Sequence, residues 1–288
     1  MDMKLEGEWS ELLFSYLTAS WYDWGVSSQL SASNTHCWSV TSGYYAHYML
    51  AASLLNMYRG TYKEERLVKR IASNHSKMCN FLSNNKYNKE YSFRLQFNSE
   101  LANIMKISED EMDRKLQIIG DSLFSAKKAR ESHTYHVIVV SHQTVNIVDL
   151  GDGGIVKPAK LVSKISETML DIVPILHTFV LTMVEKLLLG LEDTVKHYHL
   201  KHLIQEVDDF YKLAEGERIL PLPYSMDNGL KRLKNFAVEH LDNTKIEHYS
   251  DFEESLLSFT EKKENYQDLQ SNYDYLNQAL ENVKKLNI

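Results

Sequence analysis

Apolar residues recur at helical spacing along most of the chain, separated by short polar stretches. The first such segment spans about Glu8 to Leu30. The second spans about His36 to Arg59 and meets Gly60, a residue type that commonly ends helices; it is apolar on most sides, which predicts a central position. Further helices are predicted at about 63–82, from the capping box at 108–111 to about 135, from about 158 with a kink or break at Pro174, and at about 193–214 and 226–241.

A different pattern follows the helix that is predicted to end near Tyr135. Residues 137–140 are mostly β-branched, and residues 151–154 read Gly-Asp-Gly-Gly, which is typical of a turn. A short extended piece and a β-hairpin both fit the stretch 137–156, and the pattern does not decide between them.

The segment 251–286 has the pattern of a long helix with a heptad repeat. A second capping box at 250–253 opens it, and it contains no glycine or proline as far as Leu286. Its apolar residues are spaced alternately three and four positions apart, which predicts an interface made of Tyr266, Leu269, Tyr273, Leu276, Leu280 and Val283. Such a stripe needs a partner helix, and this partner belongs either to the same chain or to another molecule.

Composition supports an all-α fold and limits the cellular setting. Only 4 prolines and 11 glycines occur in 288 residues, too few for a sandwich or barrel with many turns. Two cysteines do not make a disulfide framework and fit a reducing, cytoplasmic setting. The N-terminus lacks a targeting pattern, and the most apolar run, 172–184, is too short to span a bilayer. The sequence therefore predicts a protein without a membrane segment.

No metal or cofactor site is predicted. His197, His199 and His202 cluster on one predicted helix, but no acidic or cysteine ligand stands at matching spacing. The chain also lacks a phosphate-binding glycine loop and a nucleophile elbow.

Basic residues concentrate in one segment of a chain whose net charge is −7. This overall charge excludes a protein that coats nucleic acid with its whole surface. Between 63 and 89, however, seven basic residues stand against two acidic ones. This helix face is either simply solvated or binds RNA, and its candidate RNA-binding residues are Lys63, Arg66, Lys69, Arg70 and Lys77.

The candidate catalytic residues are Arg130, His133, Tyr135 and His136, near the end of one predicted helix. An arginine beside a histidine can cleave RNA without a metal, because histidine moves a proton and arginine stabilises charge on the phosphoryl group. A polar helix end whose arginine caps carbonyls or pairs with Glu131 is the structural alternative. A literal RxxxxH match occurs at Arg70–His75, but about one chain in three of this composition contains such a match by chance.

Three stretches, in order, resemble the HEPN superfamily of small helical domains. Trp38–Leu55 followed by Gly60 is similar to the family's tyrosine-pair helix, roughly YYAxxHxARALL…G. Ser73–Leu82 is similar to its SHxxxxxLF segment. Arg130–Tyr135 is similar to the terminal RNxxDY element or to the RxxxxH element of active members, and His133-Thr134-Tyr135 matches the end of the RxxxxHxY variant. The resemblance covers about residues 8–140.

The resemblance implies an up-and-down HEPN-like helical bundle at 1–140, often dimeric. A connector at 141–157 and a second helical region at 158–288, which contains the heptad arm, would follow. Active relatives are metal-independent endoribonucleases of toxin–antitoxin and anti-phage systems, other relatives have lost catalysis, and some pair with a minimal nucleotidyltransferase. The implied partners are a second copy or a multi-protein complex, RNA, or a nucleotidyltransferase-type protein.

Two functions stay open. Five residues after Arg130, where RxxxxH has histidine, this chain has Tyr135. This departure favours a non-catalytic or weakly catalytic subunit that acts through protein and RNA contacts in a bacterial defence or toxin–antitoxin complex. The alternative is an active endoribonuclease that uses Arg130 with His133 or His136.

Overall fold

The protein is all-α, as the sequence predicts. The structure, a computed structural model, describes residues 3–58, 62–83, 91–143, 156–241 and 269–286, and these ranges contain no strand. The helices are α1 (Met3–Ala32), α2 (His36–Leu55), α3 (Tyr62–Ala72), α4 (His75–Leu82), α5 (Tyr91–Met105), α6 (Glu109–Gln143), α7 (Val156–Leu189), α8 (Asp193–Gly216), α9 (Tyr224–Leu241) and α10 (Leu269–Val283), with a 3₁₀ turn at Lys284–Leu286.

Helix α2 lies at the centre, as its apolar sequence predicts, and packs against α1, α6 and α7. At Gly43 of α2, an added Cβ would lie 2.6 Å from the side chain of Met169 on α7, so glycine allows these helices to approach closely. One cluster of buried apolar side chains includes Leu17 on α1, Leu123 on α6 and Phe179 on α7. One core therefore contains residues from both sides of the predicted connector at 141–157.

Three local features differ from the sequence-based expectation. The predicted helix at 63–82 is two helices, because Asn74 caps α4 and its side chain accepts a hydrogen bond from the backbone N–H of Lys77 (2.9 Å). Residues 137–143 continue α6 as a helix rather than forming an extended segment. Helix α5 was not predicted. Helix α7 continues through Pro174 without dividing, and the kink, the other alternative predicted there, stays a prediction.

Helix α4, which carries part of the candidate site, is fixed against α5 and α6. Arg94 of α5 is 2% exposed and donates to the carbonyl oxygens of Phe81 (2.9 Å) and Leu82 (3.3 Å), and it pairs with Asp113 of α6 (2.8 Å). These contacts satisfy carbonyl groups that the end of α4 leaves unpaired. On α6, a Cβ at Gly120 would lie 2.4 Å from the backbone nitrogen of Ser83, which allows α4 and α6 to pack closely.

Helix α10 packs on α6 and α7 of its own chain. Three of the predicted interface residues, Leu276, Leu280 and Val283, are buried there. Their partner is therefore intramolecular, which was one of the two alternatives. The backbone at Leu269 and Tyr273 belongs to α10 but their side chains lie outside the described residues, as do Tyr266 and the capping box at 250–253 altogether.

One segment of α7, Val162–Leu189, has the length and apolar composition to cross a membrane. However, 61% of its most apolar window is buried inside the protein. Packing against the other helices therefore accounts for its apolar character.

Candidate functional site

Arg130, the central residue of the predicted catalytic group, packs on the tyrosine pair of α2. Its guanidinium carbon lies 4.7 Å from the centre of the Tyr44 ring and 5.6 Å from that of Tyr45. Its Nη1 also donates a hydrogen bond to the Tyr45 hydroxyl (3.1 Å). A half-buried guanidinium gains both cation–π attraction and a hydrogen bond here, so Arg130 joins α6 to α2.

His75, the first residue of α4, contacts the same tyrosine pair. Its Nδ1 shares a short hydrogen bond with the Tyr44 hydroxyl. Its ring stacks on Tyr48, with centroids 4.0 Å apart and planes 16° apart, and lies nearly parallel to Tyr44 at 5.5 Å. Tyr44 therefore contacts both Arg130 and His75, although these two residues are 55 positions apart in sequence.

Tyr44 and Tyr48 stay neutral at physiological pH. Burial raises the pKa of Tyr44 far above its ordinary value, and the charge of Arg130 opposes that rise only in part. Burial likewise raises the pKa of Tyr48, whose hydroxyl donates a short hydrogen bond to the carbonyl oxygen of Ala72 at the end of α3. Neutral hydroxyls can hold an imidazole in place without adding charge to the site.

The buried thiol of Cys79 lies one turn after His75 and is not a nucleophile candidate. Burial raises the pKa of Cys79 to about 12, so the thiolate is not populated near neutral pH.

Two lysines of α6 lie near the start of α4, the helix that begins with His75. Lys127 of α6 donates to the hydroxyl of Ser76 (2.9 Å) and pairs with Glu131 (3.2 Å). Lys128 also approaches Glu131 (3.7 Å). Because one carboxylate faces two ammonium groups, this part of α6 keeps a positive balance beside the first turn of α4.

The predicted basic face lies next to this site. Arg66, Lys69 and Arg70 are exposed on α3, which ends just before His75, and Lys77 is half-buried on α4. The side chain of Lys63 lies outside the described residues. The basic face and His75 therefore lie on consecutive helices, α3 and α4.

The structure brings together a different histidine from those that the sequence singled out. The backbone of His133, Tyr135 and His136 belongs to α6, but their side chains lie outside the described residues. His75 takes part instead. Two sequence signals include it, the SHxxxxxLF-like segment Ser73–Leu82 and the RxxxxH match with Arg70, but neither connects it with Arg130. The break between α3 and α4 falls between Arg70 and His75.

Two of the α8 histidines are described by their burial and contacts. His199 is buried, and His202 lies 3.2 Å from Glu206, whose other oxygen accepts a hydrogen bond from Thr18 of α1 (2.9 Å). The hydrogen bond from His202 lowers the pKa of Glu206. In the described ranges no group of three or more His, Cys, Asp or Glu side chains could hold a metal ion.

No protein-family model, curated protein or solved structure matches this chain.

Proposed function

We propose that this protein is a HEPN-like helical subunit that cleaves RNA without a metal, in a bacterial defence or toxin–antitoxin complex. The observation that supports this function is the shared contact of Arg130 and a histidine, His75, with Tyr44. The motif departure after Arg130 argued against catalysis, because no histidine follows at the expected spacing. In the proposed function, His75 of another helix, α4, takes the part of that histidine.

The residue types suit attack of a ribose 2′-hydroxyl on the neighbouring phosphate. A guanidinium stabilises the charge that develops on the phosphoryl oxygens, and an imidazole transfers the proton. The basic face on α3, with Arg66, Lys69 and Arg70, would hold the RNA backbone beside these groups.

A second candidate is a non-catalytic subunit that binds RNA and other proteins. The observation that favours it is the arrangement of the Arg130 guanidinium, which packs on two tyrosine rings and donates to one hydroxyl within its own chain. In this function Arg130 stabilises the α2–α6 contact, and the basic face binds RNA without cutting it.

A single-stranded RNA and the same sequence with 2′-O-methyl groups separate the two candidates. In buffer with EDTA, the cleaving function predicts that the wild-type protein cuts only the RNA and leaves 2′,3′-cyclic phosphate ends. The non-catalytic function predicts that both strands are bound and neither is cut. Cleavage that requires a divalent metal, or that also occurs in the methylated strand, would contradict the proposed chemistry.

A further inference from the structure

We infer that His75 is the catalytic residue that exchanges the proton during RNA cleavage, and that Tyr44 is the residue that positions it. This inference rests on the RNA-cleaving function proposed above. It replaces His133 and His136, the histidines nearest to Arg130 in sequence, with one that contacts Tyr44, the same tyrosine that Arg130 contacts.

Three contacts fix the orientation of the His75 ring. The Tyr44 hydroxyl engages Nδ1, and the rings of Tyr44 and Tyr48 stack on the imidazole. With Nδ1 engaged by the Tyr44 hydroxyl, the proposed proton exchange takes place at the other nitrogen, Nε2. A hydrogen bond at Nδ1 that selects the tautomer is the arrangement that general acid–base histidines need.

The proposed reaction balances with one histidine. The neutral imidazole carries its proton on Nδ1 and donates it to the Tyr44 oxygen, so that Nε2 accepts the proton of the 2′-hydroxyl. The 2′-oxygen forms a bond to phosphorus, and the bond from phosphorus to the 5′-oxygen breaks. The 5′-oxygen then takes the proton from Nε2, which gives a 2′,3′-cyclic phosphate, a 5′-hydroxyl and the original imidazole.

Arg130 has a separate part in this step. Its guanidinium packs on both rings of the same tyrosine pair and donates a hydrogen bond to the Tyr45 hydroxyl. It stabilises the charge on the two non-bridging phosphoryl oxygens while His75 carries the proton. Tyr44 touches both residues and therefore sets the distance between them.

The test uses the full-length protein and a fluorescent single-stranded RNA in EDTA. His75→Gln keeps a hydrogen-bonding side chain toward Tyr44 but cannot transfer the proton, and we expect it to lower the cleavage rate by about 10²- to 10⁴-fold. The double variant His133→Ala with His136→Ala should cleave at the wild-type rate. Thermal melts followed by circular dichroism check that each variant is folded.

Tyr44→Phe tests the positioning role separately. This variant keeps the ring under Arg130 and removes only the hydroxyl that holds Nδ1. We expect a lower rate at saturating RNA, little change in KM and a displaced acid limb of the pH–rate profile. A merely structural role for the hydroxyl would leave the shape of the pH profile unchanged, and that result would overturn the role of Tyr44.

The outcomes separate this inference from the function on which it rests. If the wild type cleaves, and the double variant loses cleavage while His75→Gln keeps it, the assignment of His75 is wrong and the RNA-cleaving function stands. Retention of cleavage by both variants also overturns the assignment. If the wild type does not cleave RNA at all, the proposed function and this inference both fall.

Discussion

The ammonium group of Lys115 on α6 lies 2.9 Å from the carbonyl oxygen of Leu286 and donates a buried hydrogen bond to it. This contact joins the 3₁₀ turn that follows α10 to the first turns of α6. On the other side, Thr168 of α7 donates to the side-chain oxygen of Asn277 (3.4 Å). These two polar contacts join the C-terminal segment to α6 and α7, the two helices against which the apolar stripe of α10 packs.

Charged side chains in that stripe should therefore destabilise the packing of α10 on α6 and α7, and should not dissociate an oligomer. Leu276→Asp with Leu280→Asp places two carboxylates in a buried interface, which costs several kcal/mol. We expect a lower unfolding temperature with no decrease in the oligomeric state.

The matched control for the α10 prediction is Tyr275→Asp, at a position on the same helix that is 64% exposed. It should leave the melting temperature nearly unchanged. Sedimentation combined with thermal melts measures both properties. An assembly that dissociates in the double variant, with the fold intact, would show that the stripe belongs to an intermolecular interface.

Arg94 should be important for stability because it serves α4 and α6 together. Arg94→Met removes the ion pair with Asp113 and the hydrogen bonds to the carbonyl groups of Phe81 and Leu82, which should cost about 3–5 kcal/mol. Asp113→Asn keeps an acceptor oxygen and should cost about 1–2 kcal/mol. Urea unfolding compares the two variants, and equal losses would mean that the carbonyl contacts contribute little.

Two buried histidines should respond to substitution in opposite directions. Neither ring nitrogen of His47 has a hydrogen-bond partner among the described residues, so His47→Leu should stabilise the protein by about 1–3 kcal/mol. His177 accepts a hydrogen bond from Trp21 Nε1 (2.9 Å), so His177→Leu should destabilise it. Chemical unfolding at pH 7 measures both, and stabilisation by both variants would contradict the role of the Trp21 contact.

Stability should fall as the pH is lowered from 7 to 5. Burial lowers the pKa of His47 to about 3 and, together with the charge of Arg232, that of His177 to about 3, whereas both titrate near 6.5 when unfolded. Below pH 6.5 the unfolded chain therefore binds more protons than the folded protein does. At pH 5 each of the two histidines should lower the free energy of unfolding by about 2 kcal/mol.

The pH effect of His47 can be isolated by substitution. Burial raises the pKa of Asp23 to about 7, which acts in the opposite direction because the folded state then binds the extra proton as the pH falls. His47→Leu leaves Asp23 and His177 in place. Between pH 7 and pH 5, the free energy of unfolding of His47→Leu should therefore fall by about 2 kcal/mol less than that of the wild type. Equal losses in the two proteins would contradict the burial of a neutral His47.

Local signals predicted most helices well. The capping box at 108–111 begins α6, where the Glu111 N–H donates to the Ser108 hydroxyl (3.2 Å). Helices α8 and α9 lie within two residues of their predicted bounds. Helix α5 was missed because Arg94 interrupts its apolar pattern, although this arginine is buried through its pairing with Asp113. The β-branched stretch 137–140 continues α6 as a helix, and the strand preference of β-branched residues is weak and depends on context.

The sequence could identify only half of the candidate site. Arg130 and the tyrosine pair were visible as motifs, and Arg130 does contact Tyr44 and Tyr45. His75 was not identifiable as their partner, because its contact with Tyr44 depends on how α4 packs against α2 and not on spacing along the chain. Its RxxxxH match joins it to Arg70 of α3 and not to Arg130 of α6.

The most direct test of the proposed activity is the cleavage rate of single-stranded RNA in EDTA for wild type, Arg130→Ala and Arg130→Lys. Lysine keeps a positive charge but cannot contact two phosphoryl oxygens with one planar group. We expect the wild type to cut the RNA, Arg130→Lys to retain a small part of the rate, and Arg130→Ala to lose it while remaining folded. Intact RNA with the wild-type protein, or undiminished cleavage by folded Arg130→Ala, would contradict the account.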